Sequence, residues 1–253
     1  DGHFHDITPY TSQRESEHDF FTVGHTSTSI ANALGYAKAR DLTNDKGNIV
    51  AVIGDGSLSG GLAMEALNNA GDFKGNLIIL VNDNQMSIAE NHGGLYRNLA
   101  ELRATNGQAE NNFFKTFGLD YKYLANGNDI ESLIHLFEEV KDIDHPIVLH
   151  IHTEKGRGYQ PALENKEAFH WHMPFDLETG QSKVIDSGKS YSSVMLDYMD
   201  KKVSEGLPLV AINAAIPGIF GLKQFAAKYP DRYIDAGIAE QFTITFGGAM
   251  AAA

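Results

Sequence analysis

The chain of 253 residues is 42% hydrophobic and 21% charged, which is ordinary for a globular protein, and its length suffices for one large domain or for one and a half smaller ones. Its formal net charge of -13 disfavours binding to nucleic acid or an anionic membrane, although it does not exclude a local basic pocket that binds a phosphate. Cysteine is absent from these residues, which excludes disulfides, cysteine-ligated metal sites and a cysteine nucleophile within them.

The chain contains no apolar run long enough to span a bilayer, and no signal segment opens it, so we expect a cytoplasmic protein without a membrane partner. Residues 1–23 are polar and irregular. Their histidines (His3, His5 and His18) lack regular ligand spacing, which favours a surface loop over a metal site. The last residues, GGAMAAA, are typical of a helix interior, so we expect a piece of a longer protein.

Residues 24–35, GHTSTSIANALG, begin with a hydroxyl-rich turn and continue with apolar residues at helical spacing, among them Ile30, Leu34 and Ala37. Serine and threonine are good helix N-caps, so capping alone could explain the hydroxyl groups.

Residues 48–91 predict a β-α-β unit. Two short apolar runs, 48–53 and 77–81, have the length and β-branched content of buried strands, and each is followed by a polar cluster, GDG or NDN. The predicted helix between them, 60–70, carries residues small enough to lie close to a sheet. These residues are Ala63, Ala66, Leu67 and Ala70.

The polar clusters suggest a divalent metal with phosphate. Asp55 offers a carboxylate and Asn84 an amide oxygen, which are ligand types that Mg²⁺ accepts when phosphate and water complete its shell. Glycines near Asp55 let backbone N–H groups approach an anion at a helix start. These glycines are Gly54, Gly56, Gly60 and Gly61. Neither GxGxxG nor GxxxxGK[ST] occurs, and GDG taken alone is also an ordinary turn sequence.

Farther along, we expect residues 97–118 to be polar and mobile after a helical start, and residues 129–143 to form an amphipathic helix. The run HPIVLHIHT, 145–153, predicts a strand with His150 and His152 on one face. A metal pair there is disfavoured against a structural role, because the sequence positions no third ligand.

Two further segments hold candidate chemistry. KGRGYQPA, 155–162, places Lys155 and Arg157 beside glycines that permit a tight approach to an anion, although a solvated basic turn is the alternative. FHWHMPFD, 169–176, contains His170, whose ordinary pKa suits proton transfer near neutral pH, although a structural histidine is also compatible. Linker composition at 177–189 precedes a helix and two strands that predict a second α/β unit.

Five segments in this order resemble the 1-deoxy-D-xylulose-5-phosphate synthase family. They are GHTSTSIANALG, GDGSLSGGLAMEALNNAG, VNDNQMSIAENHGGL, KGRGYQPA and DAGIAEQ. The GDG and NDN pair is also similar to the thiamine diphosphate motif of the wider transketolase-like superfamily, so another enzyme of that type is the alternative.

The resemblance implies an α/β thiamine diphosphate-binding fold, with a parallel sheet flanked by helices. It further implies a diphosphate- and metal-binding domain at 1–176, a linker at 177–189 and the beginning of a pyrimidine-binding domain at 190–253. The expected cofactors are thiamine diphosphate and Mg²⁺. The expected substrates are pyruvate and D-glyceraldehyde 3-phosphate, joined to supply isoprenoid, thiamine and pyridoxal precursors by a transferase that is a homodimer.

The resemblance also assigns residues. It implies that Glu240 in DAGIAEQ activates the cofactor by hydrogen bonding to its aminopyrimidine ring, assisted by His25 and His170 at the reacting carbons. The implied metal ligands are Asp55, Asn84 and the backbone carbonyl of Met86. The implied cofactor contacts are Gly24, His25, Thr26, Gly54, Gly56, Ser57, Asn84, Tyr159 and Glu240.

Trp171, His172 and Met173 depart from the commonest family pattern, and one further departure bears on activity. Phe242 stands where family members usually have a histidine after Glu-Gln. A catalytically silent paralogue that binds thiamine diphosphate without turnover is therefore a second alternative.

Overall fold

The computed structural model describes residues 10–184, 188–218 and 220–253. The expectation for His3 and His5 falls outside the described residues, as does the part of the predicted linker at 185–187. His18 is exposed in an irregular segment, as the surface-loop interpretation expects. No helix within the described ranges has both the length and the apolar character needed to cross a bilayer.

The main sheet has four parallel strands in the order β1-β2-β4-β3. The strands are β1 (Val50–Gly54), β2 (Leu77–Asp83), β3 (Asp120–Leu124) and β4 (Pro146–His152). The predicted strands at 48–53, 77–81 and 145–153 are thus confirmed to within a few residues. Because all four strands run in one direction, their carboxyl ends meet at a single edge of the sheet.

Helices lie between and beyond the strands. In chain order they are α1 (Ser29–Thr43), α2 (Gly61–Ala70), α3 (Gly94–Ala104), α4 (Phe113–Thr116), α5 (Ile130–Val140), α6 (Gln160–Glu164), α7 (Tyr191–Ser204), α8 (Leu222–Lys228) and α9 (Glu240–Ala252). The hydroxyl cluster before α1 does not cap that helix through a side chain, because Thr28 at the N-cap position makes no such hydrogen bond.

Helices lie on both faces of the main sheet, although Val50 and Val52 of the edge strand β1 are 42% and 58% exposed. Successive side chains of a strand point to opposite faces, so Leu77 and Ile79 pack with α1, α2 and α3 while Ile78 packs with α5. The four small residues predicted to contact the sheet from α2 are all buried. The predicted parallel sheet flanked by helices is therefore observed.

The expectation of a mobile region at 97–118 is wrong. Leu99 and Leu102 of α3 and Phe114 of α4 are each fully buried in the core on the α1 and α2 face. The polar residues that suggested mobility are in part buried as well: Glu101 of α3 is exposed, whereas Arg103 is only 16% exposed and Asn112, which follows α3, is buried.

A second sheet follows the predicted linker. Strands β5 (Ala211–Asn213) and β6 (Tyr233–Asp235) are parallel neighbours, and Ala211, Leu222 and Phe225 form a small core beside them. The predicted second α/β unit is present in this limited form. Its helix α9 has no buried residue, and Phe242 and Ile244 on it are 53% and 77% exposed.

Candidate functional site

The candidate site begins at Asp55, the first residue after β1. Its side chain is 1% exposed, and its Oδ2 accepts a hydrogen bond from Asn91 Nδ2 at 2.7 Å. Burial, followed by the negative charge of Asp83, raises the pKa of Asp55 to about 7, although backbone N–H groups of Asn84 and Gly56 act in the opposite direction. Asp55 is therefore a carboxylate whose ionised form needs a further positive charge.

Asp83, the last residue of β2, lies beside Asp55 and is completely buried. Its Oδ2 accepts hydrogen bonds from His150 Nε2 at 2.8 Å and from Arg103 Nη1. Burial raises the pKa of Asp83, but the His150 hydrogen bond and the Arg103 charge outweigh burial and hold that pKa below its usual value. The surroundings therefore favour the protonated form of Asp55 and the ionised form of Asp83.

The residues predicted as metal ligands line one cavity of about 580 Å³, which contains Asp55, Asn84 and Met86. Asn84 also donates its backbone N–H toward Asp55, and its Oδ1 accepts from Met86 N at 3.3 Å. The charge of Asp83 raises the pKa of Asp55, and that pKa stays raised although Lys155 lies near enough to interact with the Asp55 charge. A hard divalent cation fits this donor set, because it would supply the charge that the ionised Asp55 lacks.

Two glycines permit close packing around this turn. A Cβ atom at Gly56 would lie 2.5 Å from Ser87 Cβ, and one at Gly60 would lie 2.1 Å from Ser27 Oγ. Ser27 in turn donates to the carbonyl of Ser57 at 2.7 Å. Close packing against Ser87 thus explains the glycine at position 56, in addition to its predicted cofactor contact. Nothing lies within 4 Å of a Cβ built at Gly54.

The segment containing Glu240 reaches the same turn. Ser59 Oγ donates to the carbonyl of Ile238 at 3.0 Å, and His92 Nε2 lies 2.9 Å from the carbonyl oxygen of Asp235. His25 Nε2 lies 3.6 Å from Glu240 Oε1. Two predicted catalytic side chains from distant parts of the sequence are therefore neighbours.

The cavity beside the N-terminal loop is larger, about 1030 Å³, and lies along the exposed edge of β1. Gly24, His25 and Thr26 line it, whereas Asp55 and Asn84 do not. We place the candidate site at the smaller cavity, because the buried carboxylates and the strand ends converge there.

His170 and Tyr159 belong to a third group of residues, apart from the Asp55 cavity and from the His25–Glu240 pair. His170 Nδ1 lies 3.0 Å from Lys155 Nζ, and Lys155 also donates to the carbonyl of Ser87. Burial and then the Lys155 charge lower the pKa of His170, and burial lowers the pKa of Lys155. Tyr159 points elsewhere, because its hydroxyl donates to the carbonyl of Leu177 at 2.9 Å.

The structure thus brings Asp55, Asn84 and Met86 together, places His25 against Glu240, and connects His170 to the Ser87 loop through Lys155. It does not bring Tyr159 to this group: its ring packs against Phe169 and Phe175.

Sequence reasoning missed several residues of the site. Asp83 was within the NDN cluster and could have been selected as the last residue of a strand, whereas nothing in the sequence pointed to Arg103 or Asn91. His150 and His152 do share a face, but His150 bonds to Asp83, and His152 Nε2 lies 3.1 Å from Gln85 Nε2. Among the described residues, no group of three acidic, histidine or cysteine side chains is arranged to hold a metal.

Comparison with known proteins identifies the family. The family model described as 1-deoxy-D-xylulose-5-phosphate synthase matches residues 3–112 and 103–153. A 1-deoxy-D-xylulose-5-phosphate synthase 1 of Geobacter metallireducens is 41% identical over 286 residues, covering 97% of this chain and 45% of the relative. The synthase of Syntrophotalea carbinolica is 39% identical over 282 residues, covering 97% and 44%. A crystal structure of transketolase from Campylobacter jejuni matches 79% of this chain and 33% of that chain, with a TM-score of 0.47 and 21% identity.

The fold and site define an α/β protein whose polar cleft lies at the carboxyl ends of parallel strands, the edge at which such sheets bind ligands. The matched residues include the whole main sheet, from β1 through β4. The chain belongs to the 1-deoxy-D-xylulose-5-phosphate synthase family. It spans 45% of the length of the Geobacter metallireducens relative.

Proposed function

We propose that the protein containing this chain is a 1-deoxy-D-xylulose-5-phosphate synthase. Pyruvate loses its carboxylate carbon as carbon dioxide, its remaining two-carbon unit bonds to the aldehyde carbon of D-glyceraldehyde 3-phosphate, and the aldehyde oxygen takes a proton to become a hydroxyl. The observation that carries the proposal is the approach of the Glu240 segment to the GDG turn, supported by the Ser59 to Ile238 hydrogen bond of 3.0 Å.

In this proposal Mg²⁺ is held by Asp55, Asn84 and the carbonyl of Met86, and it binds the diphosphate of thiamine diphosphate. The support is the shared cavity and the raised pKa of Asp55, whose ionised form a bound cation would favour. Thiamine diphosphate supplies the electron sink that makes the loss of carbon dioxide from pyruvate possible.

The remaining assignments concern proton positions. Glu240 is proposed to hold the proton shared with the aminopyrimidine ring, and His25, at 3.6 Å from Glu240, is proposed to orient that carboxyl group. His170 is proposed to act near the reacting carbon in its neutral form, which its lowered pKa favours. Gly24, Thr26, Gly54, Gly56, Ser57 and Tyr159 remain proposed cofactor contacts.

The architecture of the whole protein is also a proposal. We place the diphosphate- and metal-binding domain at 1–176, the linker at 177–189 and the start of the pyrimidine-binding domain at 190–253. A homodimer is supported by exposed apolar side chains on α7 and α9, such as Tyr198 and Ile244, which are 60% and 77% exposed. Light scattering of the purified protein tests the dimer. Cell fractionation tests the proposed cytoplasmic location.

A catalytically silent thiamine diphosphate-binding paralogue is the second candidate, because of Phe242. Its ring is 53% exposed and stacks on Phe246 with centroids 5.1 Å apart. Phenylalanine at this position has no group that binds or transfers a proton, so any histidine function there is lost.

The deciding experiment is an assay of the natural protein that contains this chain. We expect 1-deoxy-D-xylulose 5-phosphate, detected by mass, only when pyruvate, D-glyceraldehyde 3-phosphate, thiamine diphosphate and Mg²⁺ are all present. Bound cofactor without product would favour the silent paralogue, and a different product would favour another transketolase-like enzyme. Restoration of turnover by Phe242→His would then identify Phe242 as the cause of silence.

A matched variant tests the role of Glu240. Glu240→Gln keeps the size and hydrogen-bonding capacity of the side chain but removes its proton exchange. We expect cofactor binding within about 10-fold of wild type and a loss of turnover of at least about 100-fold, the range of a positioned acid or base. Unchanged turnover would contradict the assignment.

A further inference from the structure

Asp83 has a fully buried charge that the proposed chemistry does not use. Its side chain is 0% exposed, yet it lies next to the proposed metal ligand Asp55 and immediately before Asn84. Placing a second ionised carboxylate here is costly unless it is paired and hydrogen bonded. We therefore expect the buried charge of Asp83 to have a role whose benefit outweighs the free-energy cost of burying it.

Both oxygens of Asp83 are hydrogen bonded. Oδ2 accepts from Arg103 Nη1 and His150 Nε2, while Oδ1 accepts from the backbone N–H of Gln85 at 3.0 Å. The opposite ring nitrogen of His150, Nδ1, lies 2.8 Å from Tyr121 Oη. When His150 donates from Nε2, its Nδ1 accepts the Tyr121 hydroxyl proton, so one tautomer of the ring is selected.

The hydrogen bond to Gln85 controls the turn that presents Asn84. Gln85 has φ of 69°, in the left-handed region that a residue with a side chain rarely adopts. The bond from its N–H to Asp83 Oδ1 closes a local turn around Asn84, which offsets the conformational cost. Within this turn the backbone N–H of Asn84 points to Asp55, and its Oδ1 accepts from Met86 N.

We propose that Asp83, held by Arg103 and by the His150–Tyr121 pair, is a positioning residue that sets the metal-binding turn of Asn84 and Met86. This inference rests on the proposed metal site. It adds residues of α3, β3 and β4 to that site as supports of the turn and not as metal ligands.

Charge balance gives the same network a second effect. Arg103 compensates the charge of Asp83 and has only 16% of its side chain exposed, while the neutral ring of His150 adds a hydrogen bond. The carboxyl group whose ionisation stays disfavoured is then Asp55, at the place where the metal would bind. If Arg103 is removed, Asp83 loses one of the bonds that fix its carboxylate, and the turn loses part of its support.

The test measures the Mg²⁺ concentration at which half of the natural protein binds thiamine diphosphate, by calorimetry at fixed cofactor. Arg103→Met is expected to raise this midpoint about 10- to 100-fold, the usual effect of losing a residue that orients a metal ligand. Arg103→Lys keeps the charge and is expected to recover part of the loss. Tyr121→Phe removes one hydroxyl from a ring that otherwise stays packed, and is expected to raise the midpoint about 3- to 10-fold.

Lys122→Met is the matched control. Lys122 follows Tyr121 on β3 and forms an exposed ion pair with Glu139. Its replacement therefore removes one positive charge without altering the hydrogen bonds around Asp83. We expect its Mg²⁺ midpoint to equal that of wild type. Circular dichroism at the titration temperature separates folded variants from unfolded ones, and Tyr121→Phe decides the question if Arg103→Met does not fold.

The outcomes separate the two proposals. A wild-type protein that binds thiamine diphosphate without any dependence on Mg²⁺ would remove the metal assignment and this inference together. A normal Mg²⁺ dependence in wild type, with the folded Tyr121→Phe and Arg103→Met variants indistinguishable from Lys122→Met, would overturn the positioning role alone. The same result for Tyr121→Phe, with Arg103→Met unfolded, would also overturn it, because the network would then serve folding only.

Discussion

Replacing Asp55 by asparagine should stabilise the metal-free protein, although it removes a proposed ligand. The wild-type carboxyl group is buried beside Asp83, which raises its pKa from 3.8 to about 7. Asparagine has nearly the same shape and no charge. Asp55→Asn therefore relieves the cost of ionising this site in the fold.

The sign of the pH dependence of stability follows from the number of protons that the folded and unfolded states bind. Between pH 3.8 and about 7 the folded protein holds a proton on Asp55 that the unfolded chain has already released. Stability of the wild type therefore falls as the pH rises through this window, because the unfolded state binds fewer protons. The variant lacks this dependence.

The difference of 7 - 3.8 = 3.2 pKa units corresponds to about 4 kcal/mol at pH 8, at 1.36 kcal/mol per unit. At pH 5 only 5 - 3.8 = 1.2 units are in effect, or about 1.6 kcal/mol. Asparagine also gives up hydrogen bonds to a charged acceptor, which lowers the gain by about 1–2 kcal/mol at pH 8. We expect the advantage of Asp55→Asn to grow by about 1–2 kcal/mol from pH 5 to pH 8.

Urea unfolding in a chelating buffer at both pH values measures this difference, with the exposed Asp72→Asn as the control. Addition of Mg²⁺ and thiamine diphosphate should then stabilise wild type more than Asp55→Asn, since a ligand at 100 times its dissociation constant contributes about 2.7 kcal/mol. An advantage of Asp55→Asn that is equal at both pH values, or absent, would refute the electrostatic reasoning. Equal stabilisation of both proteins by Mg²⁺ and cofactor would refute the metal assignment.

Two more predictions concern the Ser87 loop. Gly56→Ala should destabilise the fold by about 1–3 kcal/mol in urea unfolding, because its Cβ would lie 2.5 Å from Ser87 Cβ, whereas Gly54→Ala, with nothing within 4 Å, should change stability by less than about 1 kcal/mol. Equal losses would contradict the packing argument. Lys155→Met should raise the pKa of His170, measured by NMR titration of the ring, because the Lys155 charge lowers that pKa. An unchanged or lower pKa would show that burial alone sets it.

Several features of this protein were determined by local sequence. Short β-branched runs predicted β1 and β2, and the alternation of strand side chains predicted that His150 and His152 share a face. The order of the motifs predicted the family, which the match to residues 3–112 and 103–153 confirms. Asp55 and Asn84 could be placed together because the carboxyl ends of adjacent parallel strands meet.

Tertiary structure alone decided which partners these residues have. Arg103 reaches Asp83 from α3, and Tyr121 reaches His150 from the neighbouring strand, contacts that no spacing in the sequence predicts. Residues 97–118 appeared polar when taken locally, yet Phe114 is fully buried. The burial of Asp55 and its raised pKa arise from groups that are distant in sequence. Only the packed fold therefore decides that the protonated form of this buried carboxyl group is favoured.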